Sequence, residues 1–150
     1  MANINLEQAF RSACHQGVRV VNDATLAALG CSEGTGNELV FTLGTGFGIA
    51  LVVDDDLVKI RDVGAEMFSD GQSYDRLLGE FARSQDEIRW NSLLRFAVND
   101  FVDEFSADTV HLGGGNSRRV DLAQFSDAEY RIVVDNNDAT LRGAVKLFDR

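Results

Sequence analysis

The chain has no proline at all, and only two cysteines, Cys14 and Cys31, among its 150 residues. No CxxC spacing and no Cys/His cluster accompanies them, which argues against a structural zinc site. Histidine is as scarce. His15 sits in a polar stretch before a turn and reads as a surface residue. His111 lies inside an apolar run and reads as a satisfied core histidine rather than a ligand. No apolar run approaches the ~20 residues of a membrane span, and no signal peptide is visible. With two unpaired cysteines this points to the cytoplasm. Basic residues are outnumbered, 14 against 24 acidic, for a formal net charge of -10. Such an excess argues against a general affinity for nucleic acid or for anionic membranes. The lack of proline carries no functional reading. What is present, an apolar fraction of 45%, excludes a disordered chain and is enough to bury a core in one domain spanning residues 1–150.

The most informative stretch is Asn37 to Val53, which reads as strand, glycine turn, strand. Two runs rich in β-formers, Leu39 to Leu43 and Ile49 to Val53, flank Gly44-Thr45-Gly46-Phe47-Gly48. Successive main-chain N–H groups in a glycine turn, with a threonine hydroxyl beside them, form a concave donor site for phosphate oxygens. A hairpin that simply needs glycine at a tight bend accounts for the same residues. The dinucleotide fingerprint is excluded, because no helix follows at once.

Before this stretch, Asn5 to Cys14 has the spacing of a short amphipathic helix, with Gly17 as a stop. Val18 to Val21 is β-branched and predicts a strand. Asn22-Asp23 follows, then a helix over Ala24 to Leu29 closed by Gly30. A strand-to-helix junction presents side chains at the carboxyl edge of a sheet, where open α/β sheets bind ligands, although an N-cap accounts for one of the two residues. Asp54-Asp55-Asp56 reads as a solvated turn, without the alternation of a calcium loop. Leu57 to Ile60 continues as a strand. Arg61 to Gln72 is glycine-punctuated and aperiodic. Ser73 to Phe81 predicts one short helix, and Asp86 to Phe105 a long one. The long helix's stripe is Ile88, Leu93, Phe96, Ala97, Phe101 and Phe105, broadened by Trp90, Leu94, Val98 and Val102. Ala107 to Leu112 is a strand entering a second glycine turn, Gly113-Gly114-Gly115-Asn116-Ser117, followed by Arg118 and Arg119. Tyr130 to Val134 is a further strand. Asn136-Asn137-Asp138 caps a last helix, Ala139 to Phe148, with Leu141, Ala144, Val145 and Phe148 on one face.

Three of these segments, Val20-Val21-Asn22-Asp23-Ala24, Thr42-Leu43-Gly44-Thr45-Gly46-Phe47-Gly48 and Leu112-Gly113-Gly114-Gly115-Asn116-Ser117, occur in the order found in bacterial sugar kinases. The chain resembles the ROK kinases (repressors, open reading frames, kinases), and among them the polyphosphate/ATP glucokinases. The tail, Asn137-Asp138-Ala139 leading to Gly143-Ala144, resembles their C-terminal helix. The resemblance implies an α/β fold, one actin-like ATPase (ribonuclease H-like) lobe with a mixed β-sheet and flanking helices. It implies Asp23 as the catalytic base toward a sugar hydroxyl and Asn22 as a sugar ligand. Gly44, Thr45 and Gly46 match the family's second phosphate-binding turn, and Gly114 and Gly115 the segment beside adenosine. Phosphoryl transfer needs positioning, charge stabilisation and a carboxylate within reach of the nucleophile, so these assignments make chemical sense. ATP or polyphosphate is the implied donor, a hexose the acceptor and Mg2+ the implied metal, though no complete magnesium site can be read from the residues.

Two departures accompany the resemblance. The family's N-terminal lobe, with its Asp-x-Gly-Gly-Thr type phosphate motif, is not in this sequence. The sugar-binding Glu-x-Gly-His element falls on Asp62-Val63-Gly64-Ala65, so Asp62 replaces glutamate, one methylene shorter, and Ala65 replaces histidine. Glu66 is adjacent but out of register. Three readings stay open: a phosphotransferase lobe completed by another chain, a non-catalytic sugar- or phosphate-binding or regulatory module, and an inactive remnant. Without the N-terminal lobe, Leu26, Leu141, Val145 and Phe148 are expected to form an exposed apolar patch, which predicts a homodimer or a complex with a separate lobe.

Overall fold

A computed structural model of the chain describes residues 5–14, 17–135 and 138–148. Helix α1 (Leu6–Cys14) and helix α2 (Asp23–Cys31) precede the hairpin β1 (Asn37–Leu43) and β2 (Phe47–Val53). The hairpin is antiparallel over its full length, from Asn37 opposite Val53 to Leu43 opposite Phe47. Asp54 and Asp55 both take positive φ, 47° and 71°. Two such residues make the turn whose twist suits a hairpin, and the chain returns as β3 (Asp56–Val58). A small ribbon, β4 (Met67–Ser69) and β5 (Gln72–Ser73), leads into α3 (Tyr74–Leu78), α4 (Glu80–Gln85) and the long α5 (Glu87–Phe105). Then come β6 (Thr109–Gly113), two 3-10 turns over Ser117–Arg119 and Leu122–Phe125, β7 (Arg131–Val134) and α6 (Ala139–Lys146). The main sheet is mixed, in the order β3-β2-β1-β6-β7, with β6 parallel to both β1 and β7.

Alternation along β1 and β6 sends side chains to two different covers. Leu39, Phe41, Leu43, Val110 and Leu112 meet Trp90, Leu94, Ala97, Val98 and Phe101 of α5 in the larger core. Val40, Ala50 and Val52 meet Ala24, Ala27, Ala28, Cys31 and Ala139 of α2 and α6 in the smaller one. Among the described residues no helix is long and apolar enough to cross a membrane.

Several sequence expectations are corrected. Val18 to Val21 forms no strand. The segment is tied to α1 instead, with Val20 N donating to Glu7 Oε1 at 2.9 Å and Arg11 Nη2 to Val18 O at 3.3 Å. β-branched composition needs a neighbouring ladder before it becomes sheet. Gly30 does not end α2, which runs on to Cys31; it lies where α6 crosses. A Cβ on Gly30 would sit 1.7 Å from Ala139 O, and one on Gly143 would sit 1.7 Å from Leu26 O. The expected helix over Ser73 to Phe81 is broken at Gly79, where a Cβ would lie 2.3 Å from Thr45 O. The α5 stripe is rotated from the expected one. Trp90, Leu94, Ala97, Val98 and Phe101 are buried, whereas Ile88 is 81% exposed and Phe96 is exposed too. On α6 the small residues Ala139 and Gly143 face inward, so Leu141, Val145 and Phe148 stand exposed, as anticipated, while Leu26 is half-buried. His15, Asn136 and Asn137 lie outside the described residues.

Candidate functional site: a cleft between two glycine turns

One cleft of about 1080 Å³ opens at the end of the sheet where β1 turns into β2 and where β6 ends. Asn22, Asp23, Gly44, Thr45, Gly46, Asp62, Gly114 and Gly115 all line it. Residues from four separate stretches of sequence thus share one concave surface.

The two glycine turns are locked together by buried Asn116. Its N–H donates to Leu43 O at 2.9 Å and its Nδ2 to Gly44 O at 3.2 Å, while its Oδ1 accepts from Arg83 Nε at 3.0 Å. Gly114 packs over the end of β1 at φ +86°, where a Cβ would fall 2.4 Å from Leu43 O. The backbone approach is therefore set by the protein itself. In the first turn Gly44 N donates to Gly46 O at 3.1 Å, and Phe47 N donates to Asp75 Oδ1 at 2.7 Å. That narrows the expected row of free amides. Thr45 and Gly46 retain N–H groups with no hydrogen-bond partner among the described residues.

Asp75 was not singled out from the sequence. Its carboxylate sits between Gly46 and Gly64, where added Cβ atoms would come within 2.5 and 2.8 Å of Oδ1. Those two glycines make room for a carboxylate of the protein. Gly44 and Gly115 are different, since a Cβ on either would meet nothing within 4 Å and both border the cleft. Nothing in the spacing of residues 46, 64 and 75 announces this contact. An acidic residue in the first turn of α3 was the only available signal.

At the opposite wall Asn22 is the N-cap of α2, its Oδ1 accepting from Thr25 N at 2.7 Å. Asp23 is the first helical residue and is exposed, with Oδ1 accepting from Ala24 N at 2.9 Å. Capping thus accounts for Asn22 Oδ1, and both residues are exposed. Because Val18 to Val21 is no strand, the pair does not sit at the carboxyl edge of one; the N-terminus of α2 presents it. Asp62 is exposed and accepts from Gly64 N at 3.2 Å. Glu66 does not line the cleft and instead pairs with Arg61 at 3.2 Å. Arg118 and Arg119, the basic pair read beside the second turn, do not line the cleft; Lys59 and Arg61 do. Arg61 is also bound by Glu104, whereas Lys59 forms no ion pair among the described residues.

His111 is buried in the apolar run where the sequence placed it, and both of its ring nitrogens have carboxylate partners. It is fully buried on β6, with Nε2 2.8 Å from Glu38 Oε2 and Nδ1 3.1 Å from Asp135 Oδ2. Glu38 also accepts from Ser32 Oγ, Glu33 N and Gly34 N. Burial disfavours the imidazolium, but the bonds to Asp135 and Glu38 prevail and raise the His111 pKa. Burial likewise works against the Glu38 carboxylate, and the donors from Glu33, His111, Ser32 and Gly34 hold it below the usual range. Asp135 is lowered by His111 and Cys31 against its own burial. The Cys31 thiol is pushed far up, first by burial and then by Asp135.

No protein-family model matches the chain, and no curated protein sequence does. Solved structures do. The inorganic polyphosphate/ATP-glucomannokinase from Arthrobacter sp. strain KM superposes with a TM-score of 0.78 at 26% identity, over 98% of this chain and 62% of that one. The ROK hexokinase from Thermus thermophilus gives 0.72 at 16% identity, over 96% and 70%. The chain has the fold of the ROK-family sugar kinases. A ROK family glucokinase from Streptomyces griseus, in complex with glucose and AMPPNP, gives 0.70 at 16% identity, over 95% and 71%. The mixed five-stranded sheet with flanking helices is accordingly an actin-like ATPase lobe. The chain spans somewhat under two thirds of the length of the Arthrobacter enzyme.

Proposed function

We propose that the chain is a lobe of a hexose phosphotransferase, with Asp23 as general base. The observation that carries this reading is the placing of an exposed carboxylate, Asp23, on the same cleft as the two locked glycine turns. A sugar hydroxyl held by Asn22 Nδ2 and Asp62 would give its proton to Asp23 as its oxygen bonds to the terminal phosphorus. The bond from that phosphorus to the bridging oxygen breaks, and the leaving phosphate carries the electron pair away. The Thr45 and Gly46 amides and the Thr45 hydroxyl would hold phosphate oxygens, with Gly114 and Gly115 flanking the donor. ATP and polyphosphate both satisfy this chemistry. The named activities of the Arthrobacter and Streptomyces proteins support a hexose acceptor.

Magnesium fits the donor set. Magnesium is commonly held by one or two carboxylates plus phosphate oxygens. Asp75 has one carboxylate oxygen bound by a backbone amide and a second remaining. It would hold the ion, which would supply neutralisation of the phosphate charge. The exposed apolar residues Leu141 and Val145 on α6 and Phe148 just beyond it fit a surface covered by a second copy or a separate lobe. Light scattering should then show association that grows with concentration.

The decisive assay is glucose phosphorylation by the purified chain with ATP and, separately, with polyphosphate. Turnover should fall by about 10² to 10⁴ in Asp23→Asn, the range that a general base contributes. Equal turnover in the variant would remove Asp23 from the role.

A further inference from the structure

Cys31, His111 and Asp135 come from three different elements: the end of α2, the middle of β6 and the residue after β7. One ligand atom from each lies within 4.8 Å of the other two. Cys31 and His111 are buried and Asp135 nearly so, its side chain 10% exposed. None of the three lines the cleft. We propose that they bind a single divalent ion of the zinc class, with Glu38 as the residue that orients His111. The inference is independent of the phosphotransferase reading.

Three features point to it. A thiol, an imidazole and a carboxylate are the donor types zinc takes, and the thiol turns the site away from magnesium and calcium. The separations are also close to those an ion needs. Ligands at zinc bond lengths of about 2.0 to 2.3 Å in a tetrahedron stand about 3.4 to 3.7 Å apart. His111 Nδ1 and Asp135 Oδ2 are 3.1 Å apart and no pair of ligand atoms exceeds 4.8 Å, so side-chain shifts of under about 1.5 Å would bring all three to those distances. Finally, the support is already built. Metal-binding histidines donate their other ring N–H to a carboxylate. His111 Nε2 is 2.8 Å from Glu38 Oε2, and Glu38 is itself fixed by Ser32 Oγ at 2.8 Å and Gly34 N at 2.9 Å.

Three protein ligands leave a fourth position for water or a further side chain.

The test is titration of the chelator-treated chain with Co2+, in a Cys14→Ser background that removes the exposed thiol. One equivalent should produce a thiolate-to-cobalt band in the near ultraviolet and the intense visible absorption of a four-coordinate ion. Zn2+ should abolish both by competition. Adding Cys31→Ser should remove the thiolate band. Asp135→Asn should keep the band and weaken binding by about tenfold or more. Zn2+ should raise Tm in the Cys14→Ser chain and not in the Cys14→Ser/Cys31→Ser chain. Absence of the band at one equivalent, or a band unchanged by Cys31→Ser, would overturn the proposal. Loss of sugar phosphorylation in any of these proteins would bear on the cleft and leave this result standing.

Discussion

The face of the sheet under α5 and the face under α2 and α6 are closed by different means. Under α5, large rings do the filling. Phe41, Phe47, Tyr74 and Phe101 lie with centroids 5.4 to 6.3 Å apart, and Trp90 Nε1 donates to Leu78 O at 2.8 Å. Stability there comes from apolar area and from aromatic pairs. Under α2 and α6 the side chains are alanine and glycine, and the helices meet almost backbone to backbone at Gly30 and Gly143. The same face holds the hydrogen-bonded network of Glu38, His111 and Asp135. One face depends on volume; the other depends on position and charge, and it is the one that carries Asp23.

Substitutions can separate these modes. Phe101→Ala should cost about 4 kcal/mol, the usual loss for a buried phenylalanine, read as a lowered urea midpoint. Gly30→Val should cost about 2 to 3 kcal/mol by overpacking. It should act locally, raising hydrogen exchange across Ala139–Lys146 while α5 stays protected. Gly17→Ala, where a Cβ meets nothing within 4 Å, is the neutral control. If Gly30→Val left α6 protected, the backbone contact would not be what seats that helix.

The pH dependence sharpens the contrast further, measured with a chelator present. The His111 pKa is raised above its ordinary 6.5. Its contribution is therefore complete below about that pH and is lost as pH rises through the raised value. Glu38 and Asp135 are lowered from 4.5 and 3.8. Their contributions are complete above those values and are lost as pH falls through the lowered ones. Stability from this network should peak between roughly pH 4.5 and 6.5 and decline on both sides, with Cys31 un-ionised throughout. His111→Gln should flatten the alkaline limb, and a limb that kept its slope would assign it to another group. The smallest expected effect is on α5 itself. Ile88→Gln, at a position 81% exposed, should stay within about 0.5 kcal/mol, against the large loss at Phe101 on the same helix.

Much of the architecture is legible in the sequence. The β1–β2 hairpin, the Asp54-Asp55 turn, β6 and β7 follow from local pattern and turn chemistry, because alternation and glycine act over a few residues. The cleft was readable through its motifs, since Asp23, Asp62 and both glycine turns do converge. Errors fell where a distant partner decides. Val18 to Val21 had β composition but no ladder to join. Gly30 and Gly79 read as stops or interior residues, and their reason is a carbonyl oxygen from another element. The apolar side of α6 faces outward because its small side fits α2.

What the sequence determined by itself is therefore local: which stretches become helix or strand, where the chain turns, and which residue types the cleft can offer. Backbone preference and hydrophobic period need only neighbours in the chain. Tertiary structure alone decided the rest. It set Asp75 between Gly46 and Gly64, used Asn116 to lock two turns, and brought Cys31, Glu38, His111 and Asp135 into one buried cluster. Those contacts join residues far apart in the chain, and they form only where the packing of α2 and α6 on the sheet brings the partners within bonding distance.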